Sequence, residues 1–279
     1  MSRTALVVLL AALVATSFAP SLGAQSARAC QPGVVFQNDD VRVWFHGHKD
    51  FFKVFDTNGT DDQGSHWSYA TRAIEELDAD GEVVARMNLG GAFPQTSECL
   101  VVETEDAVNM TLRVTDGLEA HAGEATVTFT FHFNKSSHGA KFDLQVDQWP
   151  WSEGANHTLA FAFDLHASGA TAEAASNGVG FRDANGVSRG YVEWAPNATA
   201  TYADGHEETA LVNSTVEASG GNADVTLRFT NATAGYESLV YDPWIGSGDY
   251  LVVGNVLVGL APVQDVLPRG LASAVRKLL

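Results

Sequence analysis

The amino-acid sequence predicts an all-β fold, a large antiparallel β-sandwich of twelve or more strands followed by a short C-terminal helix. Three observations predict it. Apolar and polar residues alternate at period two through the middle of the chain. Turn dipeptides separate these runs. No long helical periodicity interrupts them. An open barrel would show the same signals, so sandwich and open barrel stay alternatives at this level.

The elements follow in chain order. Val41 to Phe45, Lys53 to Phe55 and Ala70 to Leu77 are short apolar-rich runs that read as strands. Ala79-Asp80-Gly81-Glu82 joins the last of these to Val83 to Asn88 and reads as a hairpin turn. Leu100 to Glu103 comes next. Strict alternation then begins: Val108, Met110, Leu112 and Val114 are apolar with polar residues between them, and Val127, Phe129, Phe131 and Phe133 repeat the pattern. Phe142 to Val146, Leu159 to Leu165 and Val225 to Phe229 do the same. Successive side chains of a strand point to opposite faces, so such runs mark strands with one face in a core.

Ala167 to Val179 is rich in Ala, Ser and Gly and shows no period. It reads as a long loop and as a sub-boundary if the chain holds two units. Phe181 to Val187, around Asp183-Ala184-Asn185-Gly186, reads as a hairpin. Gly190 to Trp194 and Thr209 to Val216 read as further strands. Tyr250 to Val258 is nearly all apolar. It reads as two buried strands around Gly254-Asn255, with glycine at the first turn position as a type II′ turn requires. Pro268 to Leu279 reads as the helix, with Leu271, Val275, Leu278 and Leu279 on one face.

Met1 to Ala24 has the order of a secretory signal: a charged start at Arg3, an apolar run from Ala5 to Ala15, and small residues before Ala24. Cleavage is expected after Ala24, with Ala29 as the alternative. The domain expectation is a signal over 1–24, one continuous sandwich over 25–262 and a basic amphipathic tail over 263–279. The tail carries Arg269, Arg276 and Lys277 with no acid after Asp265, a pattern that suits a membrane-surface or partner contact as well as packing on the sandwich. Cys30 and Cys99 are the only two cysteines and pair as one disulfide in an oxidising compartment.

Seven of thirteen asparagines lie in N-glycosylation triplets: Asn58, Asn109, Asn134, Asn156, Asn197, Asn213 and Asn231. None falls on an inward phase of a predicted strand. The net charge of −18 argues against nucleic-acid and anionic-lipid partners for the body of the protein.

The sequence carries no Gly-x-Ser-x-Gly, no His-Glu-x-x-His, no phosphate-binding glycine loop and no complete calcium loop, so no catalytic residue and no cofactor is assigned. Asp56 to Asp62 has oxygen ligands but lacks the closing glutamate. His46 and His48 share one side of an extended segment and form a weak metal candidate, with His66, His121, His132 or Asp50 as further ligands. Trp149 and Trp151, flanked by Asp147 and Glu153, form the candidate sugar contact, since ring faces stack on sugars while acids bond the hydroxyls. The sequence therefore points to a secreted or cell-surface glycoprotein with a structural, adhesive or binding role, whose partners are glycans or other surface proteins. Carbohydrate binding or processing is the first alternative and metal binding the second.

Overall fold

The computed structural model describes residues 26–39, 41–45, 52–56, 66–89, 98–136, 139–153, 156–241, 244–246 and 249–259. The signal segment, His46, His48, Asn58, the 56–62 loop beyond Asp56 and the tail lie outside these residues. All regular structure among the described residues is β. The strands are β1 (Ser26–Ala29), β2 (Gly33–Gln37), β3 (Val41–Phe45), β4 (Phe52–Asp56), β5 (His66–Leu77), β6 (Val83–Asn88) and β7 (Glu98–Glu103). Then come β8 (Ala107–Gly117), β9 (Glu124–Asn134), β10 (Gly139–Gln148), β11 (Thr158–Ala167), β12 (Ala170–Ala175), β13 (Gly178–Asp183) and β14 (Ser188–Glu193). The last are β15 (Asn197–Thr201), β16 (Glu207–Ser219), β17 (Asn222–Thr230), β18 (Ser238–Tyr241), β19 (Trp244–Gly246), β20 (Tyr250–Val253) and β21 (Val256–Gly259).

Nineteen strands form one antiparallel hydrogen-bonded sheet, and β20 with β21 forms a separate pair. The sheet runs β1, β7, β8, β9, β10, β18, β15 and then β16 by paired neighbours. It continues through β17, β11, β5, β4, β3 and β2. Strand β16 belongs to both halves, since Leu211 pairs with Asn197 of β15 and with Thr230 of β17.

The two halves fold over and face each other, which gives a sandwich-like all-β fold. Aromatic rings meet across the gap, those of Phe129, Phe131, Phe133, Phe142 and Phe161 from the predicted inward phases. Phe129 and Phe142 of one half lie 6.1 and 6.2 Å from Phe161 of the other. Tyr69 reaches Phe142 at 5.7 Å, Phe52 reaches Phe131 at 4.1 Å, and Phe36 stacks on Phe133 at 5.1 Å. All except Phe36 and Phe133 are at most 1% exposed, and each buried ring contributes about 1.5–3 kcal/mol.

Cys30 and Cys99 are bonded, with Cα atoms 5.3 Å apart. The bridge ties β1 to the strand it pairs with. Its sequence separation of 69 residues corresponds to about 4 kcal/mol of chain-entropy stabilisation.

Two sequence expectations change. Residues 167–179 are not a loop: they hold the end of β11, all of β12 and the start of β13. Ala, Ser and Gly give little contrast between faces, so period two is invisible there although the strands form. The hairpin of β20 and β21 is buried on one face only. Tyr250 and Leu257 point inward, whereas Val253, Val256 and Val258 are 65%, 47% and 41% exposed. The turn itself is as expected, with Gly254 in the left-handed region at φ 66°.

Candidate functional site

Six glycosylation triplets fall within the described residues. Asn134, Asn156, Asn197, Asn213 and Asn231 are exposed and Asn109 is half-buried. Asn156 and Asn231 adopt left-handed backbone at φ 65° and 69°, which asparagine tolerates better than most residues, so both positions favour Asn for backbone reasons as well. Asn134 Oδ1 accepts from the backbone N–H of Ser136 at 2.9 Å and from its hydroxyl at 2.7 Å, closing a turn within its own triplet. Asn109 lies in a polar row across β8, β9 and β10, where His132 sits 2.8 Å from Asn109 Oδ1 and 2.7 Å from Asp143 Oδ2.

The connections β10–β11, β15–β16 and β17–β18 converge at one end of the fold. Beneath the first lies Glu76, fully buried on the inward face of β5. It is inward because Arg72 is an extra residue in the ladder: Thr71 pairs with Phe163, and Ala73 with Ala162. Such a bulge shifts the side-chain phase by one. Trp67, Tyr69 and Thr71 point inward before it, and Ile74 and Glu76 after it.

The 149–157 segment closes over this carboxylate. Trp149 Nε1–H donates to Glu76 Oε2 at 2.8 Å and the Ser152 backbone N–H to Oε1 at 3.0 Å. His157 Nδ1 lies 2.6 Å from Oε1, with the His157 side chain 8% exposed. Two N–H donors and the His157 ring nitrogen thus meet the carboxyl group, which compensates for its removal from water.

Next to this plug the surface becomes aromatic and acidic. Trp151, half-buried, donates its ring N–H to the Tyr236 carbonyl at 3.2 Å and meets the Tyr236 ring edge-on at 4.7 Å. Tyr236 meets Tyr202 edge-on at 6.3 Å, and His206 stacks flat on Tyr202 at 4.2 Å. The Tyr202 hydroxyl lies 2.6 Å from both Glu208 Oε2 and the Thr233 carbonyl, between which it shares one proton. His206 Nδ1 is 2.6 Å from Asp204 Oδ1, and the Thr233 N–H donates to Glu208 at 2.8 Å.

The electrostatics follow from these contacts. The hydrogen bond to Asp204 raises His206 above its ordinary value, and the same bond lowers Asp204. The Tyr202 hydroxyl lowers Glu208. Partial burial, and then the bond to Glu208, push Tyr202 up to about 12. Burial raises Tyr236.

Three of the four residues of the predicted sugar contact lie in the β10–β11 connection and Asp147 in β10, but the four do not share one surface. Trp149 is 5% exposed and caps the core, so its ring faces are not open for stacking. Asp147 is half-buried and accepts from the Thr128 hydroxyl, while Glu153 is exposed. Trp151 joins the Tyr202–Tyr236–His206 group, whose members come from three separate connections and carry no shared mark in the sequence. Neither Glu76 nor His157 stands out in the sequence either. A single Glu in a run of mixed pattern carries no burial signal, and His157 lies inside a glycosylation triplet. Among the described residues no group of three or more His, Cys, Asp or Glu is placed to hold a metal ion.

The chain matches no known protein-family model, and no curated protein sequence matches it.

Proposed function

We propose that this protein is an exported, glycosylated all-β protein of the cell exterior with a structural, adhesive or binding role. The observation that carries the proposal is the placement of the acceptor asparagines: every one within the described residues is exposed or half-buried, and none lies in the core. The disulfide supports the same compartment. A sandwich-like body with sugar chains on its faces is protected from proteolysis and from edge pairing, and its unmodified loops stay free for contact. Glycopeptide mass spectrometry of the protein purified from its native cells tests this. Sugar on several of the seven asparagines is expected, and seven unmodified sites would refute it.

A second reading is carbohydrate binding. It is favoured by the Trp151, Tyr202 and His206 rings, which are set on the buried Tyr236, with Asp204 and Glu208 beside them. Ring faces and charged acceptors at one loop end are the components of sugar recognition. A glycan array probed with the protein and with Tyr202→Ala tests it. Binding that the substitution weakens at least tenfold supports this reading, and no binding by the wild type ends it.

A further inference from the structure

The outer face of the β20–β21 hairpin is an exposed aliphatic surface on an acidic protein. Leu251 pairs with Val258 and Val253 with Val256, so these four side chains share that face. The hairpin beneath them is firmly held. Asn177 bonds both the N–H and the carbonyl of Leu257, at 2.8 and 2.9 Å, and Ser176 bonds the Asn255 carbonyl through its hydroxyl at 2.7 Å. Arg182 lies 4.4 Å over the Tyr250 ring and donates to the Tyr250 carbonyl at 2.9 Å.

Beside the hairpin is an open cleft of about 460 Å³ whose walls include Val256, Trp194, Asn177 and Glu193. Glu193 accepts from the Asn177 amide and the Gly259 N–H, both at 3.3 Å, and no cation pairs with it among the described residues. Partial burial raises its carboxyl above the usual range.

We propose that residues 260–279 fold back on their own hairpin. The Leu271, Val275, Leu278 and Leu279 side covers Leu251, Val253, Val256 and Val258, and the tail's cations lie toward the cleft of Glu193. This inference goes beyond the proposed function and does not rest on it. Three arguments select this occupant. The chain leaves β21 at Gly259, whose N–H already contacts Glu193, so the segment starts beside the cleft. The reach suffices: nine residues from 260 to 268 extend up to about 30 Å, whereas four strand pairs span about 10 Å. The charges match: this segment carries Arg269, Arg276 and Lys277 against the single acid Asp265, while the whole chain is at −18. An anionic membrane would attract the tail but repel the body, and tethering gives the intramolecular contact a high effective concentration.

Hydrogen exchange followed by mass spectrometry on the full mature chain at low salt tests this. Amides of 269–279 are expected to exchange at least tenfold more slowly than in the free tail peptide. Val253→Asp with Val256→Asp should remove that protection while 159–165 in β11 stays protected, which shows that the fold persists. Leu271→Asp with Leu278→Asp should remove it equally from the other side of the contact. Exchange of the wild-type tail at the free-peptide rate overturns the proposal. So does protection that appears only with phosphatidylglycerol vesicles, or only in step with dimer formation as concentration rises.

Discussion

Replacing Glu76 with alanine removes the acceptor shared by three donors at the closed end of the fold. Trp149 Nε1–H, the Ser152 N–H and His157 Nδ1–H would each lose their partner. An orphaned buried donor costs about 1–3 kcal/mol. The sum is offset in part because the carboxyl group's own desolvation cost disappears with it, which leaves about 3–5 kcal/mol net. At about 2–4 °C of melting temperature per kcal/mol for a protein of this size, the loss is on the order of 10 °C. Calorimetry or circular dichroism of wild type and Glu76→Ala measures it. Trp149→Phe keeps an aromatic ring in the core and deletes the N–H together with part of the indole. A double-mutant cycle with Glu76→Ala subtracts the change in volume and should show a coupling of about 1 kcal/mol or more. A melting temperature within about 2 °C of wild type for Glu76→Ala would refute the argument, since a carboxylate compensated by three donors cannot be removed at so small a cost.

Two further predictions follow from named contacts. His206 should titrate above its ordinary value of about 6.5 in a histidine NMR titration, and Asp204→Asn should bring it back down. An unchanged titration would show that the pair does not set it. Because the His206 value is raised, the pair's stabilisation is complete below about pH 6.5 and is lost as pH climbs through the raised value. Because Asp204 is lowered, its share holds at pH values above about 3.9 and is lost as pH falls through the lowered value. Gly246→Ala would drive a methyl into the Tyr191 ring, which packs directly on that glycine. Overpacking of about 1–3 kcal/mol is expected, visible as a lower denaturant midpoint, and an unchanged midpoint would mean the ring has room to move.

The legible parts of the fold were those where one face is apolar and the other polar. Val108 to Val114, Val127 to Phe133 and Leu159 to Leu165 lie inside β8, β9 and β11 with their apolar phase inward. The turns at Asp80-Gly81 and Asn185-Gly186 form with glycine at φ 87° and 77°, conformations that other residues adopt at a cost. The disulfide followed from there being only two cysteines. Strand β12 and the start of β13 carry no signal because Ala-rich and Gly-rich faces look alike. The burial of Glu76 was hidden because one extra residue, Arg72, reverses which side of β5 faces the core. The aromatic group of Trp151, Tyr202, His206 and Tyr236 depends on three loops meeting, and their separation along the chain conceals it.

By itself, then, the sequence determined the all-β class, most strand positions and the cysteine pairing, because these rest on local alternation, turn chemistry and count. Only the tertiary structure decided that the sheet folds over through β16, that Glu76 is sealed beneath Trp149 and His157, and that Val253, Val256 and Val258 of the last hairpin face away from the sheet. Those outcomes depend on register and on which distant segments meet. A single bulge or a shared strand changes both without leaving a mark on local composition.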